Sequence, residues 1–152
     1  MGYYLRIKCR QVGNWQDQRD RLIEALESMG CTRLPDEPED RGPLYGRTDW
    51  FSLKECGTVD VWRSSPVEAP LEVAWARLSW ATPLPTFTDV ATKLMAICGR
   101  LDLRLEADSL ADDEELSPAT FSKAIQGFRR ASEHVQTFWS PLARDNPVNP
   151  PL

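Results

Sequence analysis

Residues 3–10 alternate, with Leu5, Ile7 and Cys9 on one side and Tyr4, Arg6, Lys8 and Arg10 on the other, which predicts a half-buried strand. The period then changes to 3.6. Asn14 is placed to cap a helix whose apolar positions are Trp15, Leu22, Ile23, Leu26 and Met29, and Gly30 is its natural stop. A short strand is expected over residues 31–34. Residues 35–43 carry three prolines and read as an exposed loop. Two short runs, 49–54 and 58–63, separated by Glu55, Cys56 and Gly57, suit a hairpin.

Residues 71–80 (LEVAWARLSW) are apolar on both faces, the pattern of a central strand in a sheet covered on both sides. After Pro83 and Pro85, Thr86 with Asp89 resembles a capping box. Phe87, Val90, Ala91, Leu94, Met95, Ile97 and Cys98 then form a broad helical face ending at Gly99. Leu101, Leu103 and Leu105 alternate with charged residues and predict another strand. Ser117 and Pro118 offer an N-cap and first-turn pair for a last helix through Phe121, Ala124, Ile125, Phe128, Val135 and Phe138. Gly127 inside that helix costs about 1 kcal/mol relative to alanine, so its presence points to close packing. From Ser140 the chain has four prolines and reads as a tail, which sets residues 1–140 as one domain and 141–152 as a Pro-rich end.

The predicted order is β-α-β-β-β-β-α-β-α, without internal repeats. Two strand-helix-strand units flank a hairpin, and right-handed crossovers place their helices on the same side of a sheet. The expected fold is α+β, with a mixed or antiparallel sheet, helices mainly on one face, and a relation to the ferredoxin-like arrangement.

A chain of 152 residues can bury a core without disulfides or metals. The four cysteines, Cys9, Cys31, Cys56 and Cys98, form no CxxC pair and fall mostly in apolar positions, which suits a reducing compartment. The N-terminal stretch alternates where a leader would show an apolar block, and Arg6 stands where a myristoylation signal carries Ser or Thr. No apolar run reaches 18 residues, and the expectation is a cytoplasmic protein off the membrane.

The motifs exclude several chemistries. His134 is the only histidine, and neither a GxSxG turn nor an HExxH pair is present. Walker A and GxGxxG loops are also absent. The acidic run 108–115 lacks the alternating ligands and central glycine of a calcium loop, so it reads as a solvated stretch before the last helix. No catalytic residue, metal ligand or cofactor is assigned. Carboxylate pairs that meet only in space leave no trace in sequence.

Six tryptophans are many for this length. Trp15 and Trp75 fit apolar faces and are assigned to the core. Trp50 and Trp62 stand out of phase with Phe51, Leu53, Val59 and Val61, so both point to the other face of the hairpin. There they make either an interface hot spot or, beneath a covering helix, ordinary core. The face bearing Tyr4, Arg6, Lys8 and Arg10 invites an RNA-recognition reading. The glycine-aromatic RNP run is missing, however, and a pI near 4.9 opposes a polyanion.

Ten of the 23 acidic residues lie in two stretches without a Lys or Arg, DEPED at 36–40 and EADSLADDEE at 106–115. Without them the remaining chain is net positive by five, while the whole is net negative by five. Such local charge is the property of a surface that meets something.

In its YYLRIKCR opening, its FTDVATKLMAICGRLDLRLEAD unit and its acidic PDEPED and ADSLADDEEL loops, the chain resembles the immunity proteins that bacteria encode beside polymorphic or contact-delivered toxins. The resemblance implies a non-catalytic cytoplasmic protein that binds and blocks a toxin domain with a basic surface. On that reading Asp36, Glu37, Glu39, Asp40, Asp112, Asp113, Glu114 and Glu115 steer the partner and mimic phosphate, while Trp50 and Trp62 anchor it. The alternatives are a secretion chaperone, which needs an apolar groove and is usually a dimer, and a small carboxylate-dependent enzyme on a ferredoxin-like frame.

Overall fold

A computed structural model describes residues 2–35, 46–53, 56–112 and 114–145, with side chains described as far as residue 135. Strand β1 (Tyr3–Lys8) is followed by a 3-10 turn (Val12–Asn14), helix α1 (Trp15–Ser28), β2 (Thr32–Leu34), β3 (Thr48–Ser52), β4 (Gly57–Trp62), β5 (Glu72–Leu78), α2 (Leu84–Leu101), β6 (Arg104–Ala107) and α3 (Phe121–Asp145). The strands form one six-stranded sheet in the order β2-β3-β4-β5-β1-β6, and every neighbouring pair is antiparallel. The stretch β6-β1-β5-β4 has the ferredoxin-like order, extended at the β4 side by β3 and β2.

Period-two alternation assigns the faces. Tyr3, Leu5 and Ile7 of β1 pair with Leu78, Ala76 and Ala74 of β5, and Val59 and Val61 of β4 continue the row. All eight side chains are buried at 1% exposure or less, because α1 and α2 pack Leu22, Leu26, Phe87, Val90 and Leu94 over them. Helix α3 joins the same side through Phe128, whose ring stacks on Phe87 at 3.9 Å and meets Tyr3 edge-on at 5.7 Å. The helices therefore lie on one face, as the periodicity predicted.

Element boundaries differ from expectation for local reasons. Asn14 precedes α1 without a side-chain capping bond, and a 3-10 turn leads into the helix. Helix α2 starts two residues before Thr86, since Pro85 in its first turn removes only an N–H that has no partner there. It also runs past Gly99 to Leu101, and Asp102 takes the left-handed stop at φ 55°, a conformation Asp tolerates better than most residues. Helix α3 begins only at Phe121, after a turn in which Thr120 Oγ1 accepts the Ser117 N–H at 3.0 Å. Beyond the expected end it continues through Pro141 to Asp145.

Gly127 packs closely, as its place in a helix suggested. A Cβ there would lie 2.0 Å from Ser109 Cβ.

Candidate functional site

The other face of the sheet carries no helix among the described residues. Alternation and register place on it a row crossing all six strands, Leu34, Trp50, Asp60, Trp75, Arg6 and Glu106. A parallel row holds Thr32, Ser52, Thr58, Arg77 and Tyr4. At about 4.8 Å per strand the face is roughly 24 Å wide.

Its centre is aromatic. The Trp75 ring meets Tyr4 at 6.3 Å and Trp62 at 6.1 Å, both nearly perpendicular. The Arg47 guanidinium lies 4.9 Å from the Trp62 ring centre. Trp62 Nε1–H donates to Glu72 Oε1 at 2.9 Å, while Trp15 Nε1–H reaches the Glu72 carbonyl oxygen from the helix side at 2.8 Å. Trp62 is thereby 94% enclosed although no helix covers it. Trp50 is half-buried and donates its Nε1–H to the Pro35 carbonyl oxygen at 2.9 Å.

Most charges on or beside this face are engaged. Glu106 takes Lys8 Nζ at 2.9 Å and Arg104 Nε at 2.7 Å. Burial pushes the Glu106 carboxyl up, but these two cations outweigh it and hold the group below its usual range. Asp60 accepts the Thr48 hydroxyl at 3.3 Å. Arg6 and Arg77 are different: both are exposed, and neither has an ion pair among the described residues. Each is the cross-strand partner of an aromatic residue, Arg6 opposite Trp75 and Arg77 opposite Tyr4.

The predicted anchors Trp50 and Trp62 thus share the helix-free face. Trp75, assigned to the core, lies between Trp62 and Tyr4 and is only half-buried. Strand β5 is central as expected, but its second apolar face comes from an aromatic cluster and not from a second helical layer. Arg77, two residues after Trp75, was the signal available for this. Tyr4 and Arg6 were legible from the alternation of β1.

The acidic stretch is less free than its composition suggests. Glu115 pairs with Arg10 at 2.5 Å, and Arg10 also holds Asp102 at 3.1 Å. Glu114 pairs with Lys123 at 2.6 Å and accepts the Ala111 N–H at 3.0 Å, which together depress its carboxyl below the usual range. Asp108 accepts the Tyr4 N–H at 2.9 Å, and Asp112 is exposed. Asp36, Glu37, Glu39, Asp40 and Asp113 lie outside the described residues.

At the β2 and β3 end, Asp49 gathers Arg19 at 2.8 Å, Arg63 at 2.9 Å and Arg33 at 3.7 Å. This knot ties α1 to β3, and Arg19 also donates to the Trp62 carbonyl oxygen at 2.7 Å. A groove of about 330 Å³ opens where α1 meets the end of α2, lined by Arg21, Glu24, Ser28 and Arg100, without a nucleophile and base in contact. Among the described residues no cluster of His, Cys, Asp and Glu suits a metal ion, and no helix is long and apolar enough to cross a membrane.

No protein-family model, curated protein or solved structure matches this chain.

Proposed function

We propose that this chain is a non-catalytic binding module that recognises one partner protein through the helix-free face of its sheet, in the manner of the toxin-immunity proteins it resembles. The observation that carries this reading is the Tyr4, Trp75 and Trp62 cluster, set in the middle of a broad face and bordered by two exposed arginines that have no ion pair among the described residues. Aromatic and arginine side chains dominate the energetics of protein interfaces, the aromatics because they bring large area at low entropic cost and arginine because its planar fork makes several hydrogen bonds at once. Trp62, enclosed and held by Glu72 and Arg47, presents little surface of its own and backs the half-buried Trp75 and Tyr4, so the exposed aromatic area of the cluster is theirs. Glu114 and Glu115 are already neutralised by Lys123 and Arg10, and this shifts weight from phosphate mimicry by the acidic stretch to the sheet face.

The test is capture from the native lysate with the tagged wild-type chain and with Trp75→Ala, followed by co-expression of the captured chain in a growth assay. The expected result is one stoichiometric protein whose toxicity the wild-type chain suppresses and whose affinity falls about thirtyfold or more in the variant, equivalent to a hot spot of ~2 kcal/mol. Equal capture by Trp75→Ala, with its fold verified by circular dichroism, refutes the assigned surface. A captured chain that is harmless to cells refutes the immunity role.

A further inference from the structure

The chemistry of the partner's contact segment follows from which hydrogen-bonding groups the helix-free face leaves unfilled; this step rests on that face being the docking surface. Two cross-strand triplets form its centre: Thr58, Arg77 and Tyr4, and beside them Asp60, Trp75 and Arg6. Within this grid the Trp75 Nε1–H and the Thr58 hydroxyl oxygen are enclosed and have no hydrogen-bond partner. Among the described residues only one other buried side-chain polar atom is left so, Gln18 Oε1 on α1. Buried polar groups are seldom unpaired, and each one costs stability. Here the two residues that carry such atoms, Trp75 and Thr58, are the cross-strand partners of Arg6 and Arg77, which have no acceptor among the described residues.

Indole, guanidinium and hydroxyl groups all donate, while the one carboxylate in the grid, Asp60, is engaged by Thr48. The patch is therefore an excess of donors. Its complement is a set of oxygen acceptors carrying negative charge.

We propose that the partner protein inserts an acidic segment, whose Asp or Glu carboxylates are received by Arg6 and Arg77 beside the Trp75 and Tyr4 rings. Among the described residues the two arginine side chains have no ion pair to hold them over the grid, so they can close on the incoming carboxylate and shield it from water. A nucleic-acid strand also carries oxyanions but fits less well. It would cross Asp60 on one side of the Trp75 and Arg6 pair and Glu106 on the other. The rings of Tyr4 and Trp62 stand nearly perpendicular to Trp75, so they offer no parallel platform for successive bases.

The experiment is fluorescence anisotropy with labelled oligoglutamate, oligolysine and oligouridylate at low and physiological salt, using the full chain and Arg6→Gln/Arg77→Gln. Oligoglutamate is expected to bind, to weaken with salt, and to lose about tenfold or more in affinity with the double variant. Absence of oligoglutamate binding, equal binding by the variant, or tighter binding of oligouridylate or oligolysine overturns the inference. Partner capture separates the two levels: loss with Trp75→Ala but retention with Arg6→Gln/Arg77→Gln leaves the docking face standing and overturns the acidic segment. Retention with both overturns the docking face itself.

Discussion

Replacing Gly127 with alanine sets two effects of opposite sign against each other, and the packing of α3 decides between them. In an open helix the substitution would stabilise by about 1 kcal/mol, because glycine loses more backbone entropy on folding. In this molecule the new Cβ would stand 2.0 Å from Ser109 Cβ and 2.4 Å from its Oγ. Ser109 has little room to yield, since its hydroxyl is hydrogen-bonded to the Tyr3 hydroxyl and reaches the Ala124 carbonyl oxygen at 3.3 Å. Moving α3 outward instead would pull Phe128 off the Phe87 ring, now 3.9 Å away. Overpacking of this kind costs roughly 1 to 3 kcal/mol, and disturbing the Ser109 bonds about 1 more. The balance is a net loss of about 1 to 3 kcal/mol, or roughly 2 to 12 °C in melting temperature for a chain of this size. Thermal denaturation followed by circular dichroism reads it. In a Ser109→Gly background the obstacle is gone, and Gly127→Ala should then stabilise by the propensity difference. A raised melting temperature for Gly127→Ala in the wild-type background would refute the close approach of α3 to the turn after β6.

The four cysteines are buried, and burial pushes the Cys98 thiol up to about 12, with the Glu115 charge adding to the rise and Arg10 opposing it. At pH 8 the native protein should leave Ellman's reagent unreacted over minutes and release four equivalents in guanidinium, and a fast native thiol would contradict the packing. Because Glu106 titrates below its ordinary 4.5 in the folded state, its contribution to stability is full above that value and is lost as the pH falls through the lowered one. Glu106→Gln should therefore flatten the decline of melting temperature between about pH 5 and 3, and parallel slopes for variant and wild type would show that Lys8 and Arg104 do not govern it.

Periodicity made most of the fold legible, because side chains facing the helices must be apolar at every second or at every third and fourth position. The β1 alternation and the α2 stripe are both of this kind. What alternation could not supply was the number of covered faces. The run LEVAWARLSW looks the same whether a helix or a neighbouring aromatic lies over Trp75, since periodicity records burial and not what does the burying. Charge was similarly ambiguous. Glu114 and Glu115 look free in sequence because Lys123 and Arg10 are distant along the chain, and only the return of the chain beside β1 and the start of α3 pairs them. Arg6 and Arg77 show the converse, since nothing in sequence separates them from the arginines that do find carboxylates.

The proposed docking face is tested most directly by hydroxyl-radical footprinting of the isolated chain and of the purified complex with its captured partner. Docking on the helix-free face predicts protection of Tyr4, Trp50 and Trp75 in the complex, with the outer surfaces of α1 and α2 oxidised as before. Protection confined to those helix surfaces or to the acidic stretch 108–115, with Tyr4 and Trp75 unchanged, would contradict it.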